Sequence, residues 1–183
     1  MDRRVRKTKE ILKTSLISLM KDKDYRSITV TDLTEKADIN RGTFYLHYMD
    51  IYELLAEIEA SIVNELLNIS LKYDCSKVGY VNTLYEVIDY VEKEKEFFKV
   101  IFSPNGDISF IERIKPRLLD VFISASFPKS IIGYDKQFIH HFAIFIVSGG
   151  IGIFQEWIKN DCKTPLKPLV AKFEEVFLKI KFQ

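Results

Sequence analysis

Ile28-Thr29-Val30-Thr31-Asp32-Leu33-Thr34-Glu35-Lys36-Ala37-Asp38-Ile39-Asn40-Arg41-Gly42-Thr43-Phe44-Tyr45-Leu46-His47-Tyr48 contains two helix starts with a tight turn between them. Thr29 can N-cap the first helix, and Asp32 three residues later completes a capping-box pattern. Leu33 and Ala37 lie four apart, so they share a face that can pack inward. Asp38-Ile39 supply the turn, and the side-chain oxygen of Asn40 can accept an orphan N–H at the start of the second helix. Phe44 and Tyr48 are again four apart and face the core. Arg41, Thr43, Tyr45 and His47 are left to point elsewhere.

A helix pair of this kind can place its second helix in the major groove of DNA, N-terminal residues nearest the base edges. The residue types suit that position. Arg41 presents a rigid donor fork for guanine or a phosphate. Gly42 removes a side chain where backbone must approach DNA. Thr43 can hydrogen-bond a base edge or touch a thymine methyl. Tyr45 and His47 can donate to phosphates, which fix register without reading sequence. The competing reading is a solvated face on an ordinary helical corner; caps, turn and outward face together favour DNA.

From Thr29 to Leu54 the chain resembles the DNA-binding domain of the TetR family of transcriptional regulators, most specifically in the run Gly42 to Tyr48. The resemblance implies an all-α protein of about nine helices. A helix-turn-helix three-helix DNA-binding domain (residues 1–50) would be followed by a larger helical regulatory and dimerisation domain (51–183). It also implies a homodimer, usually with a small-molecule effector. Thr29, Thr31, Arg41, Thr43, Tyr45 and His47 match positions that commonly face DNA in that family. Two positions depart from its pattern. Asp38 stands where Gly is usual, and Asp tolerates a left-handed backbone better than most residues. Ile51, preceded by Asp50, stands where a phosphate-binding Lys is common; Asp50 is expected to cap the fourth helix, and Tyr52 offers a hydroxyl instead.

Working outward, Ile11, Leu12, Ser15, Leu16, Leu19 and Met20 form one stripe on a first helix. Arg3, Arg4, Arg6 and Lys7 precede them as a basic arm that can follow a phosphate backbone or enter a minor groove. No apolar signal-peptide core follows this basic start. Residues 1–50 carry 11 Lys+Arg against 8 Asp+Glu, and the remainder 16 against 18, within a net charge of only +1. The balance fits a mildly positive head on a neutral body, and excludes a nonspecific polycation.

Leu54, Leu55, Ile58, Ile62, Leu66 and Ile69 predict a fourth helix from Ile51 to near Lys72. Helices are expected over about 80–94, 95–102 and 107–126, the last with Pro116 inside it. Ser103-Pro104-Asn105-Gly106 is a turn; Phe127-Pro128 and Gly133 mark a later connection. Residues 137–155 hold no Asp, Glu, Lys or Arg, which predicts a helix buried on two sides, one against its own core and one against a partner chain. Gln137, His140, His141, Ser148 and Gln155 interrupt it and argue against a membrane span. A ninth helix follows from Pro165 to about Lys181.

The last two helices are expected to pair two subunits through Ser148, Gly149, Gly150, Phe154, Trp157, Val170, Phe173 and Phe177. Ser148-Gly149-Gly150 followed by Trp157 also resembles a TetR subgroup, some of whose regulators act with a protein partner. Tyr85, Phe97, Phe98, Phe102, Phe122 and Phe142 could line an effector pocket, with plain core packing as the alternative for each.

No catalytic residue set, phosphate-binding glycine motif or cofactor motif is readable, so no enzyme and no cofactor are expected. Adjacent His140 and His141 lack the spacing of a helical metal site, and no metal is expected. Cys75 and Cys162, far apart, read as free thiols of a reducing cytoplasm. The expectation is a cytoplasmic, sequence-specific regulator acting on a double-stranded DNA operator, a homodimeric repressor released by an effector. The alternative is a helical protein–protein interaction module or co-regulator without direct small-ligand control.

Overall fold

The computed structural model describes residues 3–73, 77–107, 109–125 and 135–179. Among these the regular elements are all helical: α1 (Arg3–Met20), a short 3-10 turn (Tyr25–Ser27), α2 (Val30–Ala37), α3 (Arg41–Tyr45), α4 (Ile51–Lys72), α5 (Lys77–Lys93), α6 (Lys95–Ile101), α7 (Phe110–Ala125), α8 (Lys136–Lys159) and α9 (Leu166–Lys179). The all-α fold, with nine α-helices among the described residues, agrees with the expected nine or so. Cys75 and the connection at Phe127-Pro128 and Gly133 lie outside the described residues, as do the side chains of Phe173 and Phe177.

The chain forms two compact units. The first takes Met1–Glu65 together with Glu96–Ile114, and the second takes Leu66–Lys95 and Lys115–Gln183. The core of the first is largely apolar. Leu12, Leu16 and Met20 from α1, Leu33 from α2, Phe44 from α3 and Leu54 and Ile62 from α4 are all fully buried. Burying a side chain of this size contributes roughly 1.5–3 kcal/mol. Phe97 meets Phe98 and Phe110 edge-on, with ring centroids 5.3 and 5.7 Å apart.

A turn between α6 and α7 ties this unit together. The Tyr25 N–H donates to the Asn105 carbonyl at 3.0 Å. The Asn105 side-chain amide donates to the Lys21 carbonyl at 3.3 Å, and Lys21 pairs with Glu96 at 2.5 Å. Gly106 is obligatory here, since a Cβ would stand 2.2 Å from the Val100 carbonyl oxygen and 2.4 Å from that of Ile101. Beside it, Arg113 of α7 donates to Glu59 of α4 at 2.6 Å and to Asp107 at 2.8 Å. Burial pushes the Glu59 carboxyl above its ordinary range, although Arg113 opposes the shift. Its second oxygen, Oε1, is buried without a protein hydrogen-bond partner.

In the second unit, Lys167 of α9 pairs with Asp89 of α5 at 2.5 Å. Lys72 reaches Glu86 at 2.6 Å. The α8–α9 corner is held by Trp157, 6% exposed, whose indole N–H donates to the Thr164 carbonyl at 2.7 Å. Asp161 and Cys162 both take left-handed backbone conformations there, φ 57° each. Cys162 is half-buried.

Helix α8 carries an exposed apolar face. Among its residues only Ala143 and Trp157 are buried, and Phe138 and Phe145 are 44% and 63% exposed. Its own chain therefore covers little of its apolar surface. It is also the one helix among the described residues long and apolar enough to cross a membrane.

Candidate nucleic-acid interface

Local capping chemistry builds the outward face of the first unit. Thr29 accepts the Asp32 N–H at 3.1 Å while its own N–H donates to the Asp32 carboxylate at 2.8 Å, the reciprocal box read from the sequence. Lys23 adds a charge-assisted bond to the same carboxylate at 2.8 Å. Lys23 first, then Thr29, hold the Asp32 carboxyl well below the usual carboxylate range. Asp38 ends α2 in the left-handed region at φ 53°, ψ 48°. Gly is usual at such a position because it carries no Cβ; here Asp takes it. Asn40 then accepts the Gly42 N–H at 2.7 Å and starts α3.

The far end of α3 is fixed as firmly. Phe44 is fully buried and Tyr48 is 3% exposed. The Tyr48 hydroxyl donates to Glu57 Oε1 at 3.0 Å, and Lys9 of α1 donates to Glu57 Oε2 at 2.7 Å. The Lys9 ammonium also lies 5.1 Å from the Tyr48 ring centroid. Burial, then Glu57, push the Tyr48 phenol well above its usual range. One carboxylate thus joins α1, the end of α3 and α4.

The expected DNA-facing residues fall into three groups. Arg41, Gly42 and Tyr45 are exposed on α3, Tyr45 at 51%, and Arg41 makes no ion pair among the described residues. Thr43 and His47 are half-buried at the edges of that face. Thr29 and Thr31 are exposed at the start of α2, but the Thr29 hydroxyl donates to Asp32 at 2.7 Å and is already committed. Arg3, Arg4, Arg6 and Lys7 are exposed on the first two turns of α1 rather than on an extended arm. Arg and Lys are good helix formers and no Gly or Pro interrupts them.

At the N-terminus of α4, Asp50 accepts the Glu53 N–H at 2.8 Å and Glu53 accepts the Met49 N–H at 2.6 Å. Asp50 caps the helix as expected, and the two carboxylates occupy the place where the sequence lacks a Lys. Tyr52 is 53% exposed and packs edge-on against Tyr25 at 6.0 Å. Two exposed apolar residues were not foreseen: Leu46 at 81% and Met49 at 78%.

The aromatic residues expected to line an effector pocket are found in both units. Phe97 and Phe98 are buried core of the first unit, and Phe102 stacks on Phe98 at 6.2 Å. Tyr85, Phe122 and Phe142 are half-buried in the second unit. An open groove in the first unit is lined by Lys21, Glu96, Lys99, Val100 and Ser103. Of the expected subunit-contact residues, Gly149 and Gly150 are exposed; Ser148, Phe154 and Val170 are half-buried. Trp157 is 6% exposed and stacks on Phe154 at 5.7 Å.

Residues 14–58 match the family description "Bacterial regulatory proteins, tetR family", and residues 81–179 match "Transcriptional regulator C-terminal region". Over 55 residues, 30% of this chain, the sequence is 46% identical to the "Uncharacterized HTH-type transcriptional regulator YxbF" of Bacillus subtilis (strain 168). Over 95 residues, 52% of the chain, it is 30% identical to the HTH-type dhaKLM operon transcriptional activator DhaS of Lactococcus lactis subsp. lactis (strain IL1403). The matches span 14% and 49% of those two relatives, about half their length or less. Among solved structures, a dihydroxyacetone kinase operon activator DhaS superposes with a TM-score of 0.63 at 20% identity, covering 93% of this chain and 94% of that one. A TetR transcriptional regulator from Streptococcus agalactiae 2603V gives a TM-score of 0.59 at 21% identity, covering 94% of each chain. At these identities the structural likeness is one of fold.

Proposed function

The chain belongs to the TetR family of bacterial regulatory proteins, and on that premise we propose that it is a homodimeric, sequence-specific DNA-binding transcriptional regulator, a repressor released by an effector. One observation supports this above the rest. Helix α3 is capped at its start by Asn40 and followed by the Tyr48–Glu57 anchor, while Arg41, Gly42 and Tyr45 are exposed. A short helix capped at its start, anchored just beyond its end and exposed outward suits insertion into a major groove. Phosphate contacts would come from the α2 start and the exposed cations of α1; the acid-capped start of α4 is ill suited to an anion.

The dimer reading is supported by α8. Phe138, His141, Phe145, Gly149, Gly152 and Glu156 are all exposed and follow one another at three- and four-residue spacing, so they lie along one seam. Among the described residues, nothing beyond the helix's own nearby backbone comes within 4 Å of a Cβ built at Gly149, Gly150 or Gly152. A second copy laid on that seam covers the apolar rings, and the glycines admit its backbone closely. The Ser148-Gly149-Gly150 run followed by Trp157 also suits the TetR subgroup named above, with Trp157 in a corner-holding role.

A second reading follows from one relative. The Lactococcus DhaS is an activator by name, and it shares 30% identity over 95 residues. Under that reading the same head binds DNA to recruit rather than to exclude, with a protein partner in place of a small ligand.

Fluorescence anisotropy with duplex from the promoter beside the chain's own gene tests the proposal. Binding that weakens steeply with salt is expected, because phosphate contacts release counterions; absent or salt-insensitive binding overturns it. Transcription in vitro from that promoter separates repression from activation. Sedimentation of wild type and Gly149→Leu tests the dimer. A monomeric wild type, or a variant dimer as tight as wild type, removes the seam from the interface.

A further inference from the structure

We propose that Leu46 reads a thymine methyl group in the major groove and sets an A·T requirement within each half-site. The inference rests on the DNA-binding reading above and deepens it.

Phe44 is fully buried and defines the inward side of α3. Two residues further along a helix is roughly 200° of rotation, so Leu46 stands on the outermost line of that helix. The backbone there is still helical, φ −69° and ψ −17°, and the Leu46 N–H donates to the Gly42 carbonyl at 3.1 Å. Leu46 therefore follows Gly42 by one turn on the same line. It is 81% exposed, more than any other large apolar side chain among the described residues.

Gly42 makes that position more prominent. A Cβ at Gly42 would stand 3.3 Å from Asn40 Oδ1, tighter than an ordinary contact, and that oxygen already accepts the Gly42 N–H at 2.7 Å. The outer line of α3 is thus bare for one turn and then carries a leucine, with Arg41 and Tyr45 on one flank and Thr43 on the other. Arg, Tyr and Thr offer hydrogen bonds to base edges and phosphates; Leu46 offers none. The floor of the major groove is polar on every base pair except for the thymine C5-methyl group. A branched aliphatic side chain at the centre of the face, flanked by donors, matches that feature and leaves the polar edges to its neighbours.

Single exposed leucines are ordinary on protein surfaces, so the test must separate a reader from a bystander. Full-length wild type, Leu46→Ala and Leu46→Gln would each select duplexes from a randomised pool. Wild type is expected to require thymine at one position per half-site, and both variants to relax or shift the preference there. In anisotropy titrations, replacing that thymine by uracil, which removes only the methyl, should weaken wild type roughly threefold to tenfold and leave Leu46→Ala unchanged. Because Leu46 is exposed, the variants should keep the wild-type thermal transition. Equal uracil penalties in wild type and variant, or an unmoved thymine preference, overturn the proposal while leaving DNA binding intact. A wild type that selects no sequence removes the DNA-binding reading and Leu46 with it.

Discussion

Tyr48 donates its hydroxyl to Glu57 at 3.0 Å, and this bond joins the end of the proposed recognition helix to α4. Tyr48→Phe keeps the ring and its burial but leaves Glu57 with Lys9 alone. The expected loss is about 1 kcal/mol of stability, read as a lowered denaturation midpoint in urea. DNA affinity should fall with it, because the orientation of Arg41 and Tyr45 depends on where α3 ends.

Arg41→Ala and Tyr45→Phe should act oppositely, on binding and not on folding. Both residues are exposed, so the thermal transition should stay within about 0.5 kcal/mol of wild type. DNA affinity should fall by roughly tenfold or more for Arg41→Ala. Unchanged affinity for both variants would remove the assigned face of α3.

Asp32 gives the α2 cap an acid limit. Its carboxyl is held well below the 3.8 of an unperturbed aspartate by Lys23 and then Thr29. A group whose folded-state pKa is depressed contributes stability that is present above its unfolded value and lost as pH falls through the folded one. Melting temperature should therefore drop more steeply in wild type than in Asp32→Asn as pH falls below about 4. Equal slopes would mean that the Lys23 and Thr29 contacts are not made in solution.

Glu59 has the opposite sign. Burial raises its folded-state pKa, so the protonated form favours the fold, and that contribution is lost as pH rises through the folded value. Arg113 offsets the burial. Arg113→Ala should cost about 2 kcal/mol at pH 7, less than for a fully buried pair because the arginine is 47% exposed. The penalty should shrink near pH 4, where Glu59 can take up a proton. A pH-independent penalty in urea unfolding would place the loss in Arg113 packing instead.

Much of the head was legible because its determinants are local. Thr29, Asp32, Asp38 and Asn40 each act within a few residues of their own position, and spacing alone placed Phe44 and Tyr48 inside. The tie from Tyr25 to Asn105 was not legible. Ser103 to Gly106 announced a turn, but no pattern along one chain says which distant N–H a turn carbonyl will accept. Periodicity also showed that α8 is apolar without showing what covers it. Leu46 was passed over because an exposed leucine has no motif; its meaning comes from standing one turn after Gly42, opposite Phe44.

The turn at Asn105 and Gly106 also bears on how this protein could be re-engineered or recombined. The Tyr25–Asn105, Lys21–Glu96 and Glu59–Arg113 contacts all join residues before position 65 to residues after position 95. A chimera spliced at residue 50 would separate Lys21 and Tyr25 from their native partners Glu96 and Asn105, and is expected to keep the wild-type stability only if residues 96–114 travel with the N-terminal helices.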